Sequence, residues 1–240
     1  MQERIKVIEQ RIQAACEACG RPRASVRLIA VSKTKPVEMI EEAYAAGLRC
    51  FGENRAQEIV AKKPLLPEDI RWHFIGNLQK NKIKYLLGQV ELIHSVNGED
   101  LALEIERQAE KRDLTQDILV EVNIAGEASK QGAALSQARA LIALCDELPR
   151  LNLRGLMAVA PLSENPEDSR PYFRQLRILW EETKPLLSHS PAFDQLSMGM
   201  SGDFEVAIEE GATMIRVGSA LFGAREQKLP NENREMPVIK

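Results

Sequence analysis

The chain has 240 residues, 44% apolar and 28% charged, with a formal net charge of -3. That apolar share supports a sizeable core, while the slight acidity excludes a general nucleic-acid binder, whose footprint would be basic. No stretch reaches the roughly 20 apolar residues of a membrane span, and the charged start MQERIKVIEQ lacks a signal-peptide core, so a cytoplasmic location is expected.

The first segment repeats apolar residues at helical spacing through Ile5, Ile8, Ile12, Cys16 and Cys19, which predicts an N-terminal helix. Cys16 and Cys19 form a C-x-x-C, a pattern open to redox chemistry or half a zinc site. Helical spacing instead turns both towards the core, and no second Cys or His pair follows at zinc spacing. Cys50 and Cys145 complete the four cysteines, whose spacing suggests no disulfide framework.

From residue 27 onward, short β-rich runs alternate with amphipathic helical ones. Strands are predicted at Arg27–Thr34, Leu48–Gly52, Trp72–Gly76, Glu91–Val96, Ile118–Ile124, Leu153–Ala160, Gln195–Met200 and Thr213–Gly218. Helices are predicted at Val37–Ala46, Asp100–Lys111, Leu135–Leu148 and Pro171–Leu187. Pro36 and Pro171 suit helix starts, where the missing N–H costs nothing. Such alternation implies a parallel sheet covered by helices, either an open doubly wound sheet or a closed barrel. About eight strands favour closure, although barrels more typically take about 250 residues. No Gly/Ser linker or composition shift divides the chain. The expected fold is therefore α/β, a single (β/α)8 TIM barrel domain over residues 1–240 with an extra N-terminal helix.

Barrel chemistry collects where strands end. The seventh candidate strand leads into Ser197-Met198-Gly199-Met200-Ser201-Gly202-Asp203, and the eighth carries Arg216 before Gly218-Ser219. Small residues with free amides, and the hydroxyls of Ser201 and Ser219, suit a phosphate at this address. The first strand ends in Ser32-Lys33-Thr34. A partly desolvated amine is a nucleophile towards aldehydes, and a rim lysine snorkelling into water is the other reading of Lys33. Lys35 is expected to be the solvated one. Arg216 interrupts an apolar strand, where a charge needs partners; a buried ion pair with Glu53, Glu121 or Asp203 is one reading. The other is contact with whatever Lys33 holds, since the last strand of a closed barrel lies beside the first.

The segments AVSKTKP (Ala30–Pro36), FGEN (Phe51–Asn54), WHFIGNLQKNK (Trp72–Lys82), EASKQG (Glu127–Gly132), GLMAVAP (Gly155–Pro161), LSMGMSGDF (Leu196–Phe204) and RVGSALFG (Arg216–Gly223) span nearly the whole chain. In that order they resemble the YggS/PROSC family of pyridoxal phosphate homeostasis proteins. The resemblance implies a fold-type III barrel like the N-terminal domain of alanine racemase, with pyridoxal 5'-phosphate as cofactor. It implies a Schiff base on Lys33, with Met200 and Ser201 at the phosphate and Gly218 and Ser219 on its other side. Arg216 would face the pyridine nitrogen, and Asn54 and His73 would line the pocket. Two positions depart from the family pattern: Arg55 stands where a tyrosine is common, and Ala128 interrupts the ESK-like segment.

Two functions follow. The first is a non-catalytic binder of pyridoxal phosphate acting in vitamin B6 and amino-acid homeostasis, monomeric, with pyridoxal phosphate-dependent apoenzymes or regulatory proteins as partners. The second is a racemase-like enzyme of fold type III. A permanently cationic Arg216 at the ring nitrogen weakens the cofactor as an electron sink, which favours the first. So does the lack of an evident second base among Tyr44, Tyr85 and Tyr172.

Overall fold

The computed structural model describes residues 1–127 and 131–223. Apolar, β-branched runs such as Arg27–Val31 (β1) and Leu92–Val96 (β4) are buried almost end to end, as parallel strands with both faces covered must be. The remaining strands are β2 (Cys50–Glu53), β3 (Arg71–Phe74), β5 (Gln116–Asn123), β7 (Leu151–Met157), β8 (Gln195–Ser197) and β9 (Met214–Val217), with a two-residue β6 (Ala133–Ala134) flanking β5. All pair in parallel in the order β4-β3-β2-β1-β9-β8-β7-β5, and β4 pairs with β5 to close an eight-stranded barrel. Closure puts β9 against β1, with Ile29 opposite Arg216.

Strand alternation divides the core in two. Ile29, Leu92, Leu119, Met157 and Met214 pack together inside the barrel. Leu28, Ala30, Phe51 and Trp72 face outwards into the larger core beneath the helices. Those helices are α2 (Val37–Ala45), α3 (Ala56–Lys62), α4 (Glu99–Glu110), α5 (Leu135–Glu147), α6 (Arg170–Thr183), α7 (Phe204–Glu209) and α8 (Ser219–Phe222). The extra helix α1 (Gln2–Ala18) buries Ile5, Ile8, Ile12 and Cys16 against α7 and α8. Cys19 lies at its C-terminal cap, half-buried at the margin of the core, its thiol donating to the Ala15 carbonyl. Pro36 precedes α2 and Pro171 sits in the first turn of α6, as expected. Among the described residues no helix is long and apolar enough to cross a membrane.

Several strands stop earlier than their apolar pattern. β1 ends at Val31 rather than Thr34, because Thr34 takes a left-handed φ of 63° and the Lys35 amide donates to the Ser32 carbonyl, closing a turn. β8 ends at Ser197 rather than Met200, since Gly199 turns the chain at a φ of 87°. These shortened ends free the residues that form the cavity described below.

Gly155 has a φ of 151°, and a Cβ there would lie 1.8 Å from the Gln195 carbonyl oxygen across the β7–β8 pairing. Gly155→Ala should therefore lower unfolding free energy by on the order of 3 kcal/mol. Gly98→Ala, at a position with nothing within 4 Å, should change it by less than about 1 kcal/mol. Urea midpoints of the two variants check this, and equal midpoints would refute the tight seam.

Candidate functional site

A cavity of about 520 Å³ opens at the C-terminal ends of the strands, within the range of small-ligand sites. Its wall is built from successive strand ends: Val31, Lys33 and Lys35 after β1, Asn54 after β2, Ile75 after β3 and Val159 after β7. Met200, Ser201 and Gly202 follow β8, and Arg216, Gly218 and Ser219 belong to β9 and its exit. Seven of the residues expected at the site therefore meet in one place. Lys35, expected in solvent, also lines it and donates to the carbonyl of Phe222. A larger groove of about 790 Å³ lies on the opposite side, among residues that precede β3, β4 and β5, away from the end where barrel chemistry collects.

One side of the cavity suits an oxyanion. The Ser201 hydroxyl accepts hydrogen bonds from the amides of Gly218 (3.2 Å) and Ala220 (3.4 Å), so hydroxyl and amides converge there. Converging backbone amides form an anion-binding concavity. Asp203 holds the loop in shape: its Oδ1 accepts from the Met200 amide at 2.6 Å and its Oδ2 from Ser169. Gly199 is required within that loop, since a Cβ would lie 2.5 Å from that of Ala207.

Arg216 forms the buried part of the wall. Its Nη1 donates to the Ser197 hydroxyl at 2.6 Å and its Nη2 to the Ala158 carbonyl at 2.9 Å. Among the described residues no carboxylate forms a salt bridge with it. Burial pushes its pKa down to about 10, so it stays charged near neutrality. Beyond it runs a chain of side chains inside the barrel. His94 Nδ1 lies 3.0 Å from the Ser197 hydroxyl, and His94 Nε2 lies 2.9 Å from His73 Nδ1. Arg216 can only donate, so the Ser197 oxygen accepts from it, and Ser197, His94 and His73 form one continuous hydrogen-bonded chain. Burial pushes His73 down to about 3 and His94 well below its ordinary value, keeping both rings neutral. His73 is thus fully buried beneath the cavity and does not line it, contrary to expectation.

Two more polar atoms mark the site. Asn54 Oδ1 and Glu121 Oε2 are buried without a hydrogen-bond partner. Glu121, inside the barrel on β5, is pushed up to about 7 by burial, against the opposing pull of Arg216. Nothing in the local pattern marks Ser197 or His94 as partners of Arg216, since both sit in ordinary apolar strand contexts. No group of three or more His, Cys, Asp and Glu side chains among the described residues is arranged to hold a metal ion. The resemblance at Glu127–Gly132 lies partly outside the described residues.

Residues 5–226 match the family described as alanine racemase, N-terminal domain. The chain is 49% identical over 225 residues to a pyridoxal phosphate homeostasis protein of Aquifex aeolicus, covering 93% of this chain and 98% of that protein. Among solved structures, PipY of Synechococcus elongatus PCC7942 with PLP bound is 38% identical, with a TM-score of 0.78, covering 90% of this chain and 100% of PipY. The alanine racemase of Bartonella henselae superposes with a TM-score of 0.68 at 15% identity, over 91% of this chain and 61% of the racemase. That likeness speaks for the fold alone.

A carboxyl whose pKa is raised on folding contributes stability that is complete below its unfolded value and is lost as pH rises through the folded one. For Glu121 that window runs from 4.5 to about 7. Glu121→Gln removes the cost of ionisation, so the unliganded variant should gain on the wild type between about pH 5 and pH 8. The gain should approach roughly 3 kcal/mol. Urea unfolding at both pH values measures it, and a gap independent of pH would refute the assignment.

Proposed function

Since the chain belongs to the alanine racemase N-terminal domain family and to the pyridoxal phosphate homeostasis proteins, we propose that it is one pyridoxal 5'-phosphate-binding barrel domain, acting in cofactor homeostasis without turnover of its own. The observation that carries this reading is the meeting of Lys33, Arg216 and the Ser201–Gly218 cradle in one cavity. The residues fit the cofactor. The Ser201 and Ser219 hydroxyls offer donors to a phosphate, the unpartnered Asn54 Oδ1 offers an acceptor, and Arg216 offers its cationic face to a ring nitrogen. When bound, pyridoxal phosphate supplies an aldehyde and an electron-accepting ring.

Lys33 is the nucleophile in this reading. Its amine would hold the cofactor through the aldehyde with loss of one water, a link that water could reverse, so the cofactor would be held covalently yet could leave. Arg216 stays protonated, held by two neutral acceptors, and disfavours a proton on the ring nitrogen facing it. Racemisation needs acid–base groups on both faces of a substrate carbon. Among the described residues lining the cavity the ionisable side chains are Lys33, Lys35 and Arg216, with no carboxylate, tyrosine or histidine. This composition supports binding and release over turnover, in a monomeric cytoplasmic carrier that exchanges pyridoxal phosphate with apoenzymes or regulatory proteins.

Purified protein mixed with pyridoxal phosphate should develop a visible absorbance band that Lys33→Ala abolishes. Borohydride reduction followed by peptide mapping should place the label on Lys33. Ser201→Ala should weaken binding about tenfold, the scale of one hydrogen bond to a charged group. A label on any other lysine would overturn the assignment. Lys33-dependent exchange of amino-acid α-protons with solvent would replace the carrier reading with the racemase one.

A further inference from the structure

Directly behind Lys33, outside the cavity, lies a buried ionic cluster that the proposed function does not use. Glu53 ends β2 with no exposure, and Glu58 and Lys62 lie one turn apart on α3, each 8% exposed. The Lys62 ammonium donates to Glu53 Oε1 (2.8 Å), to Glu58 Oε2 (2.7 Å) and to the Ser32 carbonyl (3.1 Å), so all three donors are used. Glu53 Oε1 also accepts from the Ser32 hydroxyl at 2.7 Å, and Glu58 Oε2 accepts from the Thr34 amide at 2.8 Å. The cluster therefore grips the residue on each side of Lys33 and none of its members lines the cavity.

An ionic cluster of this kind is a poor source of stability, because desolvation offsets much of the attraction. Its value lies in fixing a geometry. The turn it grips is one the chain does not favour: Thr34 holds a φ of 63°, a left-handed conformation unusual for a β-branched residue. Burial pushes Glu53 up to about 7. Burial would also raise Glu58, but the hydrogen bonds from Lys62 and the Thr34 amide outweigh it and hold its carboxyl below the ordinary value. Glu58 is thus the anionic anchor of Thr34.

Resting on the reading of Lys33 as cofactor tether, we propose that Lys62, with Glu53 and Glu58, is a positioning residue that holds the 32–34 turn so that the Lys33 amine meets the aldehyde. The cluster acts on the covalent step, because the phosphate donors and Arg216 come from β8, β9 and their loops. Removing it leaves those contacts in place while the amine samples unproductive directions.

Two ligands separate the effects: pyridoxal 5'-phosphate, and pyridoxine 5'-phosphate, whose alcohol cannot condense with an amine. In the full chain, Lys62→Met should weaken pyridoxal phosphate binding at least tenfold and slow borohydride trapping at Lys33. Its affinity for pyridoxine phosphate should stay within twofold of wild type. Glu58→Gln keeps an acceptor for the Thr34 amide but not the charge, and should show the same split at about threefold. It decides the matter if Lys62→Met does not fold. Equal losses for both ligands would make the cluster merely structural, and wild-type behaviour of both ligands in the folded variants would remove its role altogether. Failure of wild-type Lys33 to be trapped at all would instead overturn the tether reading on which the proposal stands.

Discussion

A guanidinium enclosed by a closed barrel must spend its donors on the protein, and the way Arg216 does so organises everything around the cavity. Its partners are a hydroxyl and a main-chain carbonyl, so its positive charge is oriented but not neutralised. The Ser197 hydroxyl, engaged by Arg216, links that charge to the buried His94–His73 pair. Glu121, which feels the charge without making a salt bridge to it, is held between its ionised and neutral forms near physiological pH. A carboxylate bonded to Arg216 would have made this wall neutral. Neutral partners leave a cation facing the ligand.

That residual charge is shared with the rest of the cavity. Lys33, Lys35 and Arg216 converge on one volume, and amides gathered at the Ser201 hydroxyl add partial positive charge. A site so composed favours a dianionic phosphate and an unprotonated ring over a zwitterionic substrate that needs a base on each side. The polarity of the cavity and the proposed carrier role thus have one physical origin. It is the placing of carboxylates behind the wall, at Glu53, Glu58 and Glu121, and not in it.

Much of this was legible in the sequence. Eight short apolar runs alternating with helical patterns are the direct signature of a parallel barrel, and strand-end residues such as Lys33, Ser201 and Gly218 stood out because polar or small residues ended apolar runs. Strand ends were overestimated because apolar character continues past the point where backbone geometry breaks the ladder, as at Thr34 and Gly199. His73 was misplaced for a related reason. Alternation fixes which face of a strand a residue uses, but not its depth along the barrel axis, and His73 lies one layer too deep. Lys35 was assigned to solvent because a carbonyl almost 190 residues away, at Phe222, leaves no local trace.

The least legible feature was the partnership of Lys62 with Glu53. Glu58 and Lys62 are spaced i,i+4 on α3, a pattern that on most helices marks a solvated surface pair of small consequence. Here α3 turns that pair inwards, because Glu53 ends the preceding strand directly beneath it and Ser32 follows the end of the neighbouring one. The same spacing therefore means little on an exposed face and much at a strand end. What distinguishes the two cases is the parallel register of β1 and β2, which sets Val31 against Gly52 and so brings Ser32 to Glu53. Barrel closure sets Arg216 beside β1 by the same means. Lys33 thus lies between two ionic systems, one gripping its backbone from β2 and α3, the other reaching the cavity from β9. The register of two strand pairs on either side of β1 is what makes a single lysine a defined site.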